Sequence, residues 1–190
     1  MTATDSSDHW VFFRRWLADP RAMGSVAPSS RSLRRMMTQA VQCGPDEIVV
    51  EFGGGTGAMT QAILDSGVPP ERVWSIEIDK VLAGFLGRTY PGVNVIEGDA
   101  RSVDTLLPPE LIGRAGTVVL GIPMVLLPLQ LQREIIAAIF RVQVPGRRFL
   151  HYTFCATSPL KRDKLGLTGR RLGWTPLNLP PASVWGYAQA

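Results

Sequence analysis

Short apolar runs alternate with helical patterns through the middle of the chain. The apolar runs begin near Ile48, Val73, Val93 and Thr117, and segments with helical spacing of apolar residues begin near Met59, Lys80 and Leu129. Such alternation predicts an α/β fold, in which βα units with right-handed crossovers build a parallel sheet. Ligands of these sheets bind at the carboxyl edge of the strands.

The end of the chain departs from this alternation. Residues 170–177 and 183–187 have strand-like composition, and residues 178–181 between them contain two prolines. This pattern predicts an antiparallel hairpin that closes the sheet. Because 190 residues suit one domain, we predict a single domain over residues 1–190. It would comprise an N-terminal helical cap (1–44) over the ligand edge and a core (45–190).

Two N-terminal helices are predicted ahead of the first strand. In residues 9–17, aromatic and aliphatic side chains share one side of a helix, while two arginines lie elsewhere on it. A helix of this kind fits either a membrane interface or the surface of the domain itself. Ser29 and Ser30 precede the second helical pattern and offer it a serine N-cap.

A glycine-rich turn follows the first apolar run. It reads Glu51-Phe52-Gly53-Gly54-Gly55-Thr56-Gly57 and leads into a helical pattern. Glycines here allow a ligand to lie against bare peptide groups. The spacing Gly53-x-Gly55-x-x-Ala58 also fits a dinucleotide-binding fingerprint, which is a weak signal when it stands alone.

Carboxylates decide which nucleotide fits this turn. Glu77 ends the second apolar run and Asp99 follows the third, so both are expected at the carboxyl edge. There Glu77 would accept the two hydroxyls of a ribose, and Asp99 would accept an exocyclic amine of adenine. Glu51, two residues ahead of Gly53, suits a cationic amino-acid group and would repel a pyrophosphate. The set favours S-adenosylmethionine over NAD.

The combination of Glu-x-Gly-x-Gly-x-Gly, an acid after the second strand and Gly98-Asp99-Ala100 after the third resembles class I methyltransferases. The resemblance implies a Rossmann-like, mainly parallel sheet that binds S-adenosylmethionine. Ile78 would pack on the adenine and Ala100 would offer a backbone amide; the alternative is that both are core residues. The predicted cofactor-binding residues are Glu51, Gly53, Gly55, Gly57, Glu77, Ile78, Asp99 and Ala100.

Charge and cysteine content indicate which partners and which cellular compartment the protein is expected to have. The net charge of +4 comes mainly from arginine clusters near the two ends. Such a surface either favours phosphate groups of a lipid or a nucleic acid, or is simply solvated. Cys43 and Cys155 belong to no metal-binding pattern, so we predict free thiols and no metal. A secretory signal and a bilayer-spanning segment are not found, which predicts a cytoplasmic protein with peripheral membrane contact as an option.

The segment after the fourth apolar run indicates which kind of molecule would accept the methyl group. It reads Leu120-Gly121-Ile122-Pro123-Met124. The ribosomal RNA adenine dimethyltransferases have Asn-(Leu/Ile/Val)-Pro-Tyr at the equivalent place, where polar and aromatic groups hold the target base. Gly121 and Met124 replace both of these groups, so a nucleic acid is the least favoured acceptor.

Nearly the whole chain resembles bacterial phospholipid N-methyltransferases, which methylate phosphatidylethanolamine. Three phrases carry the resemblance: residues 16–31, Gly121-Ile122-Pro123-Met124, and Asn178-Leu179-Pro180-Pro181-Ala182-Ser183-Val184-Trp185. The resemblance implies a phospholipid amine as the acceptor. A soluble small-molecule amine on the same scaffold is the alternative, and a protein that binds the cofactor without turnover is a further one.

The chain departs from that family after the last phrase. Arginines that could bind the lipid phosphate are replaced by Gly186-Tyr187-Ala188. Either other arginines bind the phosphate, or the acceptor is not a phospholipid. The predicted catalytic residues are Gly121, through its carbonyl, and Tyr152, which would orient the substrate. The predicted substrate-binding residues are Ser29, Arg31 and His151. Because His151 and Tyr152 alternate along a strand, at most one is expected to face the site.

Overall fold

Seven strands form one sheet in the computed structural model, which describes residues 30–155 and 157–190. They are β1 (Ile48–Phe52), β2 (Val73–Glu77), β3 (Asn94–Glu97), β4 (Ala115–Leu120), β5 (Phe149–Thr153), β6 (Leu167–Thr175) and β7 (Ala182–Gln189). Their order is β3-β2-β1-β4-β5-β7-β6. Pairing is parallel from β3 to β5 and antiparallel at β7 and β6. The predicted α/β fold with a closing hairpin is confirmed.

Helices connect and flank the strands. They are α1 (Arg31–Ala40), α2 (Ala58–Asp65), α3 (Lys80–Thr89), α4 (Val103–Leu106), α5 (Leu129–Val142) and α6 (Arg162–Leu165), with single 3-10 turns at Pro70–Arg72, Ala100–Ser102, Pro109–Leu111 and Met124–Leu126. Ser30 is the N-cap of α1, since its Oγ accepts a hydrogen bond from Leu33 N at 3.2 Å. The predicted helix at residues 9–17 lies outside the described residues, and the division into cap and core stays a prediction.

The core lies on both faces of the sheet. Strands β1 and β4 are buried along their whole length, as expected for parallel strands covered on two sides. On one face α1 and α2 pack against side chains such as Val49 and Leu150. On the other face α4 and α5 pack against side chains such as Val50 and Phe149. Alternate residues of each strand therefore belong to different core clusters.

The strand order reverses at β1, which lies between β2 and β4. At such a switch point the following loops leave in opposite directions and open a crevice at the carboxyl edge. Gly53 N donates to Ile76 O at 2.8 Å, and Gly121 N donates to Phe52 O at 2.8 Å. The glycine turn and the acceptor segment consequently meet above the end of β1.

The turn of the closing hairpin is tied to α1. Ser30 N donates to Asn178 Oδ1 at 2.8 Å, and Asn178 Nδ2 donates to Pro180 O at 2.8 Å. Since β6 runs parallel to β5, this turn lies at the same carboxyl edge as the glycine turn. Cys43 and Cys155 are unpaired thiols. Within the described ranges, every helix is too short or too polar to cross a bilayer.

Candidate active site

The glycine turn forms an open cradle between β1 and α2. Gly53 and Gly55 have φ of 80° and 55°, a region that other residues rarely adopt, and a Cβ on Gly55 would meet nothing within 4 Å. Gly55 N donates to Glu77 Oε2 at 2.9 Å. Gly57 begins α2 as its N-cap, and its carbonyl accepts from Tyr90 Oη at 2.9 Å. The backbone at Gly55 is therefore not covered by side chains, and a ligand can approach it directly.

Glu51 lies beneath this cradle and is fully buried. Its Oε2 accepts hydrogen bonds from Thr60 Oγ1 and Ser75 Oγ, each at 2.7 Å. Its Oε1 receives no hydrogen bond from any described residue. Burial raises the pKa of this carboxyl, and the hydroxyls of Thr60 and Ser75 offset part of the shift. An unpaired, buried carboxylate oxygen calls for a cationic partner, and the ammonium group of S-adenosylmethionine fits this requirement.

Glu77 is 1% exposed at the end of β2. Oε2 accepts from Gly55 N and Oε1 accepts from Asp79 N, each at 2.9 Å. Burial raises its pKa, while the two backbone hydrogen bonds oppose the rise. Each carboxylate oxygen has a second lone pair, so both oxygens can still accept from the two hydroxyls of a ribose. Glu77 thus joins the glycine turn to the predicted ribose position.

Asp99 has a competing partner that the sequence did not reveal. Its carboxylate accepts from Arg101 N at 2.9 Å and pairs with the Arg101 guanidinium at 2.6 Å. Arg101 also pairs with Glu134 at 2.8 Å, and this guanidinium lowers the pKa of Glu134. Both carboxylate oxygens of Asp99 accept hydrogen bonds from Arg101, and the side chain is one quarter exposed. Asp99 therefore caps the 3-10 turn at Ala100–Ser102 and pairs with Arg101, and its contact with an adenine stays a prediction.

The remaining adenine-side residues lie next to Asp99. Ile78 is partly buried against the core cluster that contains Ile76. Ala100 is 6% exposed and begins a 3-10 turn. Gly98 N donates to Glu77 O at 3.0 Å, which holds the end of β3 against the end of β2. The predicted ribose and adenine residues therefore share one edge, while their contacts with a cofactor stay predictions.

We predict that Asp99→Ala weakens S-adenosylhomocysteine binding about tenfold, because an adenine amine loses a charged acceptor. Arg101→Gln is the matched control, since it leaves the Asp99 carboxylate in place and removes its competitor. Calorimetric titration of both variants measures the effect. Equal loss of affinity in the two variants would show that the ion pair, rather than the Asp99 acceptor, supports this part of the site.

The backbone of Gly121 lies so close to the backbone of Phe52 and Gly53 that only glycine fits at this position. A Cβ at this position would lie 2.4 Å from Gly53 O and 3.2 Å from Phe52 O. Gly121 is partly exposed, whereas Met124 is fully buried and belongs to the core. The acceptor segment thus presents backbone, rather than long side chains, next to the glycine turn.

Strand β5 brings two aromatic rings towards this edge. His151 is 3% exposed, and its Nδ1 donates to Leu120 O at 2.8 Å in the tautomer that carries the proton there. Burial lowers the pKa of His151 to about 4, which disfavours this ring as an acceptor for a proton from the amine. Alternation directs His151 and Tyr152 to opposite faces, yet their ring centroids are 6.4 Å apart.

Tyr152 is partly exposed and its hydroxyl forms no hydrogen bond with another described residue. Burial raises its pKa to about 12, with a further contribution from the charge of Glu51. The ring packs edge-to-face with Phe154 at 6.4 Å. A neutral phenol with an unpaired hydroxyl beside a second aromatic ring can orient an amine and contact a methylated ammonium.

One predicted substrate-binding residue, Arg31, lies at the start of α1. Arg31 is exposed in the first turn of the helix, and Ser29 lies outside the described residues. Ser30, next to Arg31, is tied to Asn178 of the hairpin turn. Arg31 is thereby placed near the carboxyl edge, and its contact with a substrate stays a prediction.

Sequence reasoning missed the residues that support Glu51. Thr60 lies on α2 and Ser75 lies on β2, and the hydroxyls of both donate to the carboxylate. Ser75 is the Cα partner of Glu51 in the parallel pairing of β1 with β2. A register prediction for these two strands would have found it, whereas no local signal points to Thr60.

The chain is similar to a known protein over nearly its full length. The chain is 29% identical over 181 residues to the ornithine lipid N-methyltransferase of Singulisphaera acidiphila, and the match covers 94% of both chains. It is 36% identical over 88 residues to ribosomal RNA small subunit methyltransferase A of Prosthecochloris aestuarii. That match covers 46% of this chain and only 33% of the relative. No family model matches the chain.

Solved structures share the fold at low sequence identity. Magnesium protoporphyrin IX methyltransferase from Synechocystis PCC 6803, solved with bound S-adenosylmethionine, has a TM-score of 0.64 at 13% identity over all of both chains. The precorrin-6y C5,15-methyltransferase of Geobacter metallireducens has a TM-score of 0.62 at 14% identity, over 90% of this chain and 95% of that one. These structures establish the Rossmann-like architecture.

Proposed function

We propose that this chain, an S-adenosylmethionine-dependent methyltransferase with a class I fold, N-methylates the amine of a membrane lipid headgroup. Phosphatidylethanolamine is the first acceptor in this proposal, and an ornithine lipid is the second. The observation that carries it is a rim of exposed apolar side chains around the carboxyl edge of the sheet.

The apolar rim consists of Val125, Leu126, Trp174, Leu177 and Leu179, which are 50%, 45%, 52%, 76% and 80% exposed. The first two follow β4, and the other three lie at the end of β6 or in the hairpin turn. All five therefore belong to the edge that carries the glycine turn. Single exposed apolar residues are common, but a group around one opening marks an interaction surface.

The relative that matches over nearly the full length is an ornithine lipid N-methyltransferase. Ornithine lipids and phosphatidylethanolamine both present an amine at a membrane surface. An enzyme must therefore bind the amine of either lipid in the same geometry. The apolar rim would contact the acyl region while the amine enters the crevice near Gly121. This relative and the rim independently support a lipid acceptor over a soluble amine.

The chemistry expected of the site is nitrogen attack on a sulfonium methyl group, which S-adenosylmethionine supplies when bound. The lipid amine must first lose a proton, because an ammonium of this type has a pKa of about 10.4. An apolar, partly closed crevice favours the neutral amine. Tyr152 would orient it, and the rings of Tyr152 and Phe154 would face the methylated product.

A ribosomal RNA acceptor has less support. The relatives of that kind match about a third of their own length. Met124 stands where those enzymes carry a stacking tyrosine, and its side chain is fully buried in the core. It cannot stack on a flipped base without unpacking.

The proposal predicts release of S-adenosylhomocysteine with vesicles that contain phosphatidylethanolamine or ornithine lipid. It predicts no release with phosphatidylcholine, because the quaternary nitrogen of that lipid has no lone pair. Mass analysis of the lipid should show increments of one methylene group. We expect Leu177→Asp with Leu179→Asp to reduce turnover on vesicles about tenfold or more, because two charges would enter the apolar region. Cofactor binding with turnover of a soluble amine, and no lipid product, would refute the proposal.

A further inference from the structure

We infer that Arg34, together with the start of α2, binds the α-carboxylate of the cofactor, next to the ammonium position at Glu51. The inference goes beyond the proposed function, because it concerns the amino-acid group of S-adenosylmethionine and holds for any acceptor. Arg34 is partly buried near the start of α1. Within the described ranges it forms neither a hydrogen bond nor an ion pair. A partly buried guanidinium without a carboxylate partner is available to an anionic ligand.

Two sides of α1 can be assigned from its contacts. Met36 lies against β6, since a Cβ on Gly173 would lie 2.5 Å from the sulfur of Met36. Thr38 faces α2, because its Oγ1 donates to Ala62 O at 3.0 Å. Arg34 is four residues before Thr38, and residues with this spacing share one side of a helix. Arg34 therefore lies on the side of α1 that packs on α2.

Arg34 is a neighbour of the first turn of α2. Both helices begin at the carboxyl edge, since α2 follows the end of β1 and the N-cap of α1 is tied to the hairpin turn. They therefore run in the same direction. One helical turn before the contact between Thr38 and Ala62, the neighbouring residues are Arg34 and Ala58. Because helical side chains point towards the N-terminus of their own helix, Arg34 points towards the carboxyl edge.

The charges of Arg34 and Glu51 both act on Tyr90, whose hydroxyl donates to Gly57 O at 2.9 Å. Burial raises the pKa of Tyr90, the carboxylate of Glu51 raises it further, and the guanidinium of Arg34 opposes the rise. Both charged groups are therefore near the end of the glycine turn. They do not form an ion pair with each other. A ligand that carries adjacent positive and negative groups can pair with both of them.

The start of α2 adds a second positive element. No side chain caps this helix, so the N–H groups of Ala58 and Met59 have no acceptor among the described residues. A guanidinium beside the positive end of a helix is unfavourable until an anion binds to both. The buried Oε1 of Glu51, which also lacks a partner among these residues, calls for an ammonium group. Since an α-amino acid carries its ammonium and carboxylate groups on one carbon atom, the amino-acid group of the cofactor fits this arrangement.

The test compares S-adenosylhomocysteine with its decarboxylated analogue, which keeps the adenosine, the thioether and the amine. In calorimetric titrations, the wild-type chain should bind S-adenosylhomocysteine about tenfold or more tightly than the analogue. Arg34→Gln should lose about tenfold in affinity for S-adenosylhomocysteine and change its affinity for the analogue less than about twofold. Arg35→Gln is the matched control, because Arg35 is the exposed neighbour of Arg34, and it should change both affinities less than about twofold.

Three outcomes would overturn the inference. The first is a wild-type chain that binds both ligands equally well. The second is an equal loss for both ligands in Arg34→Gln, which would mean that Arg34 supports the fold and does not contact the carboxylate. The third is a raised KM for lipid with unchanged affinity for S-adenosylhomocysteine, which would assign Arg34 to the acceptor.

The titrations contain no acceptor, so they separate this inference from the proposed function. A carboxylate-dependent loss of affinity in Arg34→Gln, with no lipid product from the wild-type chain, would support the inference and refute lipid methylation. Lipid methylation by a chain whose affinity for S-adenosylhomocysteine does not depend on Arg34 would support the proposed function and refute the inference.

Discussion

Gly121→Ala is expected to reduce methyl transfer by about a hundredfold or more. The added Cβ would lie 2.4 Å from Gly53 O, so the end of β4 and the glycine turn would have to separate. A displacement of about 1 Å in a methyl-transfer site is enough for a loss of this size. Overpacking would also destabilise the fold by about 1–3 kcal/mol. Initial rates at saturating cofactor and lipid measure the first effect, and thermal unfolding measures the second.

Gly87→Ala is the matched control for this substitution. Gly87 lies in α3, is exposed, and a Cβ there would meet nothing within 4 Å. The change should stabilise the protein by about 0.5–1 kcal/mol and leave the rate unchanged, because alanine favours a helix more than glycine does. Wild-type turnover by Gly121→Ala would show that the acceptor segment tolerates displacement and would remove Gly121 from the site.

Glu51→Gln should weaken S-adenosylmethionine binding by about ten- to a hundredfold, because a buried, charge-assisted contact with the ammonium group is lost. The wild-type affinity should depend on pH. Burial raises the pKa of Glu51, so the free protein takes up a proton at low pH that cofactor binding must expel. Affinity should therefore increase as pH rises through the raised pKa of Glu51, up to the range of about 7.7–8.0 in which an α-amino group loses its own proton. The glutamine variant should lose this dependence.

Methylthioadenosine supplies the control for Glu51. This compound has the adenine and ribose of the cofactor without the amino-acid group, so Glu51→Gln should leave its affinity unchanged. The variant should also unfold at a temperature no lower than wild type near pH 8, since a neutral amide avoids burial of a charge. Parallel loss of affinity for both compounds would mean that Glu51 supports the glycine turn structurally and does not contact the ammonium group.

The local patterns of the chain were sufficient to predict the fold and the common edge at which the predicted cofactor-binding carboxylates lie. Buried strands such as β1 read as continuous apolar runs, and the chain order of βα units places their carboxyl ends at one edge. Glu51, Glu77 and Asp99 each end or follow such a run, so their common edge was predictable. The hairpin was predicted as well, although β6 begins at Leu167 and β7 ends at Gln189, beyond the predicted bounds.

Contacts between segments that are distant in the sequence determined the partners and the burial of the predicted site residues. The hydroxyls beneath Glu51, the pairing of Arg101 with Asp99, and the burial of His151 depend on strand register and on desolvation. None of these has a local sequence signal.

The sequence by itself determined that a glycine turn and three carboxylates meet at the ends of neighbouring strands, because their positions follow from local periodicity. Only the tertiary structure decided which groups are charged, paired or accessible there. A buried carboxylate with one open oxygen arises because Glu51, Thr60 and Ser75, which are far apart in the chain, come together beneath the glycine turn. Burial and proximity, which set pKa and binding, are properties of the packed fold.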